Sequence, residues 1–520
     1  MRKILTFILA LLAAGIAEAA TALHADEART FSVGREMRVR RLERRKANSH
    51  RLRAEIGIKP NLAPRGIVIL VNFADSEMKS THTTAVFDEL FNSENCTVNK
   101  YRGVNYGSAA QYFADQSNGA YRPVFDVYGI VTLSRDYAYY GKDNDRGDPE
   151  YDEGDDQHAA DAIVEACLLV DSLYDVDFTQ YDSDKDGYID FVYVVYAGRG
   201  QADGGDAETI WPHNWEVTEA MRYAIDDGVT PYCTYTKEEA KVDGKYIDSY
   251  ACSSELSGNE LNGIGTLCHE FGHVMGLPDL YDVSYGDNYS NHLTPDEWNI
   301  MDGGAYNGGG HCPPNYDPWA KAFFGWVAPI NLGDSASVDT LYANGSANYN
   351  VYQINASGEQ QGLTESGWCY YIENRQQTGW DSFLPSHGMV IWKINYDAWA
   401  WSSNAPNNTS TEDSPLWTIV CSRGTKIGTR YGENNVFGGA SDITEWDGAE
   451  NKHLSEITET RTGAITFRYS VYPAPEGIEE TESGEMKMES RKILRNGQIV
   501  IIRAEKIYDL MGMEIGNIGL

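Results

Sequence analysis

Two histidines, a glutamate and an aspartate stand in one short stretch whose spacing suits metal chemistry. Residues 268–279 read Cys-His-Glu-Phe-Gly-His-Val-Met-Gly-Leu-Pro-Asp. On a helix, His269 and His273 project from one face, because residues four apart are neighbours there. Two imidazole nitrogens so placed match two corners of a tetrahedral zinc site. Glu270 lies one step round the helix, near the metal but not on it. From there it could take a proton from metal-bound water and pass it to a leaving amine. Zinc lowers the pKa of its water from about 15.7 to about 7, so a hydroxide-like nucleophile exists at neutral pH. The third ligand must come from beyond the helix. Asp279 is the first choice, Asp282 is a rival, and His292 and His311 are more distant alternatives.

A second group of carboxylates reads Asp182-Ser183-Asp184-Lys185-Asp186-Gly187-Tyr188-Ile189-Asp190. Alternating carboxylates can turn toward one cation, Gly187 permits the sharp bend, and Tyr188 can offer its carbonyl, a pattern suited to calcium. The expected calcium ligands are Asp182, Asp184, Asp186, Tyr188 and Asp190. Tyr193 stands where an EF-hand would place a bidentate Glu, and a strand pattern follows. The segment is therefore expected to act as an isolated loop that stiffens the start of that strand. The alternative is a solvated acidic turn.

These residues need elements to hold them. Ile264, Leu267, Phe271, Val274 and Met275 give the histidine segment an apolar helical face. Asn262 fits an N-cap, Gly276 can take the left-handed conformation that ends a helix, and Pro278 stops it continuing. The turn at Gly276 would return the chain toward the metal. Elsewhere, Gly66–Phe73 has a buried-strand pattern, Ala109–Gln116 and Asp155–Tyr174 have helical patterns, and Phe191–Ala197 and Ser249–Ser253 read as strands. Beyond about Ile330 the helical signal fades. Strand-like runs at Cys369–Ile372, Met389–Ile394, Trp417–Cys421 and Ala464–Tyr472, separated by Gly, Pro, Asn and Ser, predict a β-sandwich. Pro473–Ser490 reads as an acidic linker, and Gln498–Ile502 with Ile507–Leu510 as a small β tail.

The string His-Glu-Phe-Gly-His-Val-Met-Gly-Leu-Pro-Asp-Leu-Tyr-Asp from His269 to Asp282, with Trp298-Asn299-Ile300-Met301-Asp302-Gly303-Gly304, resembles a known group. It is similar to the immune inhibitor A-like secreted metallopeptidases, peptidase family M6, within the metzincin class. Asp126-Val127-Tyr128-Gly129, Ala197-Gly198 with Ile210-Trp211-Pro212-His213, and Glu373-Asn374-Arg375 with Leu384-Pro385 also fit that family, so the resemblance runs over about residues 66–470. It implies an α+β, zincin- or metzincin-like catalytic domain. In it His269, His273 and Asp279 would bind zinc, Glu270 would be the general base, and Met301 would be the Met-turn residue, a thioether floor beneath the metal. Some metzincins place a Tyr two residues after that Met. Here the position is Gly303, and Tyr306 is the nearest substitute for an oxyanion stabiliser.

Length and composition set the frame. A chain of 520 residues is too long for one compact core. Its net charge of -35 disfavours nucleic acid and anionic membranes as partners and is compatible with calcium. Arg2 and Lys3, the apolar run Ile4–Ala17 and the small-x-small site Ala17-Glu18-Ala19 read as a secretory signal peptide. The run is too short for a comfortable membrane span. Arg38, Arg40, Arg41, Arg44, Arg45 and Lys46 give the next segment a basic, propeptide-like character, and Arg44–Lys46 would suit an activating protease. Eight cysteines leave many pairings open, with Cys268 expected as a packed thiol. The expected layout is 1–19 signal peptide, 20–65 propeptide, 66–330 catalytic domain, 331–472 β-sandwich, and 473–520 linker and β tail. The tail resembles sorting or attachment tails of exported Bacteroidetes proteins. The reading is a secreted or surface-attached bacterial zinc endopeptidase, expected to be a monomer and to act on extracellular proteins. The alternative is an inactive surface binding protein on a peptidase fold, against which the intact His269, Glu270, His273 and Asp279 set argues.

Overall fold

The structure is a computed structural model. It describes residues 64–143, 156–223, 225, 230–282, 294–355, 362–408, 415–422, 436–438 and 452–471, and the backbone of four strands between 490 and 517. The expected signal peptide, the expected propeptide apart from its last two residues, most of the linker and His292 lie outside the described residues.

A strand hidden on both faces needs apolar residues throughout rather than alternation. β1 (Arg65–Asn72) is such a strand, with Ile67 to Val71 all at 0% exposure. It pairs in parallel with β2 (Val124–Thr132) on one side and β3 (Val192–Arg199) on the other. β3 pairs in parallel with β5 (Ser249–Ser257). Two short antiparallel strands, β4 (His213–Glu216) and β6 (Glu260–Leu261), border β5. The strands predicted near 66, 191 and 249 are therefore the framework of one mixed sheet. Helices α1 (Thr84–Asn92), α2 (Ala109–Gln116), α3 (Ala159–Tyr174) and α4 (Gly265–Val274) supply the other layers. The Ser108 hydroxyl accepts from Gln111 N at 3.1 Å and fixes the start of α2 where the sequence placed it. α3 starts at Ala159, later than the Asp155 read from sequence.

The histidine helix α4 is seated by Phe271. Its ring meets those of Phe113, Phe125 and Phe191 at 5.4, 5.2 and 5.3 Å. Gly66 leaves the room: a Cβ there would lie 3.2 Å from Phe191 and 3.6 Å from Phe271.

The second half builds two further sheets. One runs β7 (Ile330–Asn331), β9 (Tyr352–Asn355), β10 (Trp368–Arg375), β11 (Gly388–Asn395), β12 (Trp417–Ile419). The other runs β8 (Ser335–Leu341), β14 (Ile465–Val471), β13 (Lys452–Glu459). Successive strand residues face opposite ways, and β10 and β11 show what that achieves. Tyr370, Ile372, Met389 and Ile391 share an apolar cluster with Val338, Leu454, Phe467 and Tyr469 of the three-stranded sheet. Cys369, Tyr371, Val390 and Trp392 join the main core, together with Trp319 of α5 (Pro318–Phe323). The five-stranded sheet is thus a wall between the main core and the outer sheet.

The described residues up to Val471 form one compact unit, and Tyr472–Leu520 another. In the latter, β15 (Ser490–Arg495), β16 (Gln498–Arg503), β17 (Lys506–Tyr508) and β18 (Glu514–Asn517) make an antiparallel sheet. Arg495 of β15 pairs with Gln498 of β16. Among the described residues no helix is long and apolar enough to cross a membrane.

Candidate metal centre

α4 is held at both ends by glycines. At its start Gly265 N donates to Gly310 O at 2.7 Å, and a Cβ on Gly265 would fall 1.9 Å from Ala305 O. The residue at the N-cap is Ile264, without a side-chain cap, so the expected role of Asn262 is corrected. Backbone of the 303–310 loop satisfies the first helical amide, while Asn262 Oδ1 accepts from Gly263 N at 2.8 Å. At the other end Gly276 has φ 104°. Gly276 N donates to His273 O at 2.9 Å and Leu277 N to Gly272 O at 3.0 Å, the paired bonds of a Schellman stop. The chain then turns back toward the histidines, as the sequence suggested.

The turn brings Asp279 to the imidazoles. Its Oδ1 lies 3.1 Å from His269 Nε2 and 3.2 Å from His273 Nε2. His269 Nδ1 donates to Ile300 O at 2.7 Å, and His273 Nδ1 donates to Leu277 O at 2.9 Å. A carbonyl only accepts, so each ring donates from Nδ1 and turns Nε2 toward Asp279. Asp279 Oδ1 is buried and has no hydrogen-bond partner. Burial alone would raise the Asp279 carboxyl, but the charges of His273 and His269 and their contacts hold it well below the usual carboxylate range. Burial likewise opposes protonation of His273, and the Asp279 carboxylate beside it wins and raises its pKa. Two ring nitrogens and a carboxylate oxygen gathered out of water suit a metal cation held among them. The donor set, two neutral imidazoles and one carboxylate, fits zinc, whose tetrahedral ligands stand about 3.3 Å apart when its bonds are about 2.0–2.1 Å. One ligand atom from each of His269, Glu270 and His273 also lies within 4.8 Å of the other two.

Met301 packs under α4. A Cβ on Gly272 would meet its Sδ at 2.6 Å, so the glycine makes space for the thioether. Met301 N donates to Asn299 Oδ1 at 2.8 Å, and Met301 O accepts from Leu280 N at 2.9 Å. One turn therefore carries the acceptor for His269, the thioether and a brace for the residue after Asp279.

Further supports come from the second half and went unread in the sequence. Asn404 Oδ1 accepts from Asp279 N at 2.6 Å, and its Nδ2 donates to Asp279 Oδ2 at 2.8 Å. Asn407 Nδ2 donates to Leu280 O at 2.7 Å and to Trp417 O at 2.8 Å. Arg375, fully buried, donates to Trp298 O at 3.4 Å and Asn315 O at 3.2 Å. It also forks onto Asp381 at 2.6 and 2.8 Å and reaches Glu373 at 3.2 Å. Glu373-Asn374-Arg375 stood out in the sequence only by family likeness. No local signal marks Asn404.

Other expected residues fall as follows. Cys268 is a buried thiol, as expected. Asp282 is fully buried. His311 Nδ1 faces Asn99 Oδ1 at 2.6 Å, and burial lowers its pKa to about 4. Tyr306 ends a 3-10 turn, Gly303–Tyr306, and is half-buried.

In the acidic loop, Asp182, Asp184 and Asp186 each bring a carboxylate oxygen within 4.8 Å of the others. Gly187 has φ 91° and its N donates to Asp182 Oδ2 at 3.2 Å. Lys245 Nζ reaches the same Oδ2 at 2.5 Å, while Asp182 Oδ1 is buried without a hydrogen bond. Asp190 Oδ2 accepts from Ser183 N at 2.8 Å, and Asp186 Oδ1 from Tyr188 N at 2.9 Å.

The sequence model of the family described as Immune inhibitor A peptidase M6, catalytic domain, matches residues 65–328. The chain is 29% identical over 301 residues to Immune inhibitor A of Bacillus thuringiensis subsp. alesti, covering 52% of this chain and 41% of that protein. It is 27% identical over 286 residues to Pre-pro-metalloprotease PrtV of Vibrio cholerae serotype O1, strain M66-2, covering 49% and 29%. The similarity spans less than half the length of either relative.

Proposed function

The chain belongs to the immune inhibitor A peptidase M6 family, and from that premise we propose that it is a secreted zinc-dependent endopeptidase. His269, His273 and Asp279 hold the metal, and Glu270 is the general base. The observation that carries this reading is the meeting of two Nε2 atoms and Asp279 Oδ1 at 3.1 and 3.2 Å, with that oxygen otherwise unpartnered. Zinc, when bound, supplies a Lewis acid and lowers the pKa of water. The protein does the rest. The Nδ1 bonds to Ile300 and Leu277 hold both imidazoles in the metal-binding tautomer. Glu270 removes a proton from the attacking water and delivers it to the leaving amine. Met301 fixes the floor and touches no substrate. The sheets of residues 330–471 act as a β-sandwich that buttresses the site, a role supported by the wall formed by β10 and β11.

The test uses protein recovered from culture medium, with its mature N-terminus read by mass spectrometry and expected to lie beyond Ala19. The parent should cleave denatured casein and carry one zinc. Glu270→Gln should keep the zinc and lose about 10²–10⁴-fold in rate, the usual contribution of a general base. Equal cleavage by the two, or a parent without zinc, rejects the proposal. An inactive binding protein would show no cleavage by either.

We also propose that the 182–190 loop takes calcium. The convergence of Asp182, Asp184 and Asp186 and the orphaned Asp182 Oδ1 support it, although Lys245 already meets Asp182. Calcium at saturating concentration should raise the melting temperature of the zinc-loaded protein, and Asp184→Asn with Asp186→Asn should abolish the rise. Identical melting curves with and without calcium would remove the site.

A further inference from the structure

A carboxylate ligand has two oxygens, and something must decide which one faces the metal. We propose that Asn404 makes that decision, as a positioning residue for the metal-binding carboxylate. This rests on the reading of Asp279 as a ligand. Asn404 meets Asp279 twice, accepting from its backbone N–H and donating to Oδ2, at 2.6 and 2.8 Å. Oδ2 is thereby occupied and Oδ1 is left toward His269 and His273. An amide side chain suits both, since it carries an acceptor and a donor on one plane.

The backbone explains how the side chain is aimed. The short helix Ala398–Ser402 ends with Asn404 N donating to Trp401 O at 3.2 Å and Ala405 N to Ala400 O at 2.8 Å. Asn404 sits just beyond that stop at φ 55°, a left-handed conformation that asparagine tolerates better than most residues. Three residues on, the fully buried Asn407 ties Leu280 O to both backbone groups of Trp417. One turn thus grips Asp279 and Leu280 together and anchors them to β12. Both asparagines lie beyond residues 65–328, the stretch that the family's catalytic-domain model matches. The metal centre is accordingly completed by the second half of the chain.

The experiment is a zinc competition titration on the full chain with a chromophoric chelator. Asn404→Asp keeps the shape and the left-handed tolerance, removes the donor and sets a carboxylate against a carboxylate. It should weaken zinc binding about 10–100-fold, the usual effect of losing a partner of a metal ligand. Asn404→Gly keeps the backbone conformation and loses both bonds, and it should weaken binding in the same direction. If the effect passes through Asp279, Asn404→Asp should add nothing in an Asp279→Ala background. A parent that binds no zinc overturns this proposal together with the peptidase reading. A parent that binds zinc, with both Asn404 variants within twofold of it, overturns this proposal alone. So does an effect that persists undiminished in the Asp279→Ala background.

Discussion

The thioether of Met301 and the missing side chain of Gly272 are two halves of one contact. Methionine fills irregular gaps well because its chain is unbranched and flexible, but here the gap has a hard limit. A Cβ on Gly272 would come 2.6 Å from Met301 Sδ and 3.2 Å from the Tyr316 hydroxyl oxygen. Gly272→Ala should therefore push Met301 aside and cost about 1–3 kcal/mol, as overpacking does. Met301→Leu, which nearly conserves volume, should cost less than about 1.5 kcal/mol. Thermal melts of the two zinc-loaded variants check this, and a Gly272→Ala protein as stable as the parent would show that Met301 is not confined. The same residue scale explains why the histidine pair, Glu270 and Asp279 were legible in the sequence. Their spacing is the chemistry, since a helix and one tight turn are all that is needed to gather them.

At the scale of the element, α4 ends where a left-handed residue is required. Gly276 has φ 104°, and the two bonds around it turn the chain back to Asp279. An alanine there pays the steric cost of a Cβ in left-handed backbone, about 1–2 kcal/mol. Because the turn carries Asp279, the proposed metal ligand, Gly276→Ala should also weaken zinc binding, which calorimetric titration would detect. Unchanged zinc affinity alongside lowered stability would mean that Asp279 is placed by its other partners alone. Periodicity found α2 with its bounds and the strands β1, β3 and β5 of the central sheet, because burial in a sheet or helix marks the sequence directly, but it did not find β2 (Val124–Thr132), whose residues are only partly buried. It misplaced the start of α4 because the first amide is satisfied by Gly310 O, a distant backbone atom. It could not find Asn404 at all, whose partner is Asp279, 125 residues away. A lone asparagine near a proline reads only as a turn.

For the molecule as a whole, the decisive feature is the buried ionic cluster joining β10 to the Met301 turn. Arg375 has five N–H donors, and all five find acceptors: Asp381 twice, Glu373, Trp298 O and Asn315 O. Burial works against its charge, while Asp381 and Glu373 hold the guanidinium protonated. Trp298 immediately precedes Asn299, Ile300 and Met301, so the arginine reaches from the five-stranded sheet to the turn that orients His269. Arg375→Met keeps much of the volume but leaves Asp381 and Glu373 buried without their cation. Breaking a buried pair this way costs about 3–5 kcal/mol, far more than the surface ion pair Arg468–Glu456 is worth, which is at most about 1 kcal/mol. Arg375→Met should therefore lower the melting temperature by several degrees, whereas Arg468→Met should leave it unchanged. The loss should extend to the metal site. If β10 were only an attached module, Arg375→Met would melt its own region and leave zinc bound. Because the same cluster holds Trp298 O, zinc release and thermal unfolding should instead occur together in one transition, followed by a zinc-sensitive dye and by circular dichroism. Two separated transitions, with zinc retained through the first, would show that the halves of the chain stand independently.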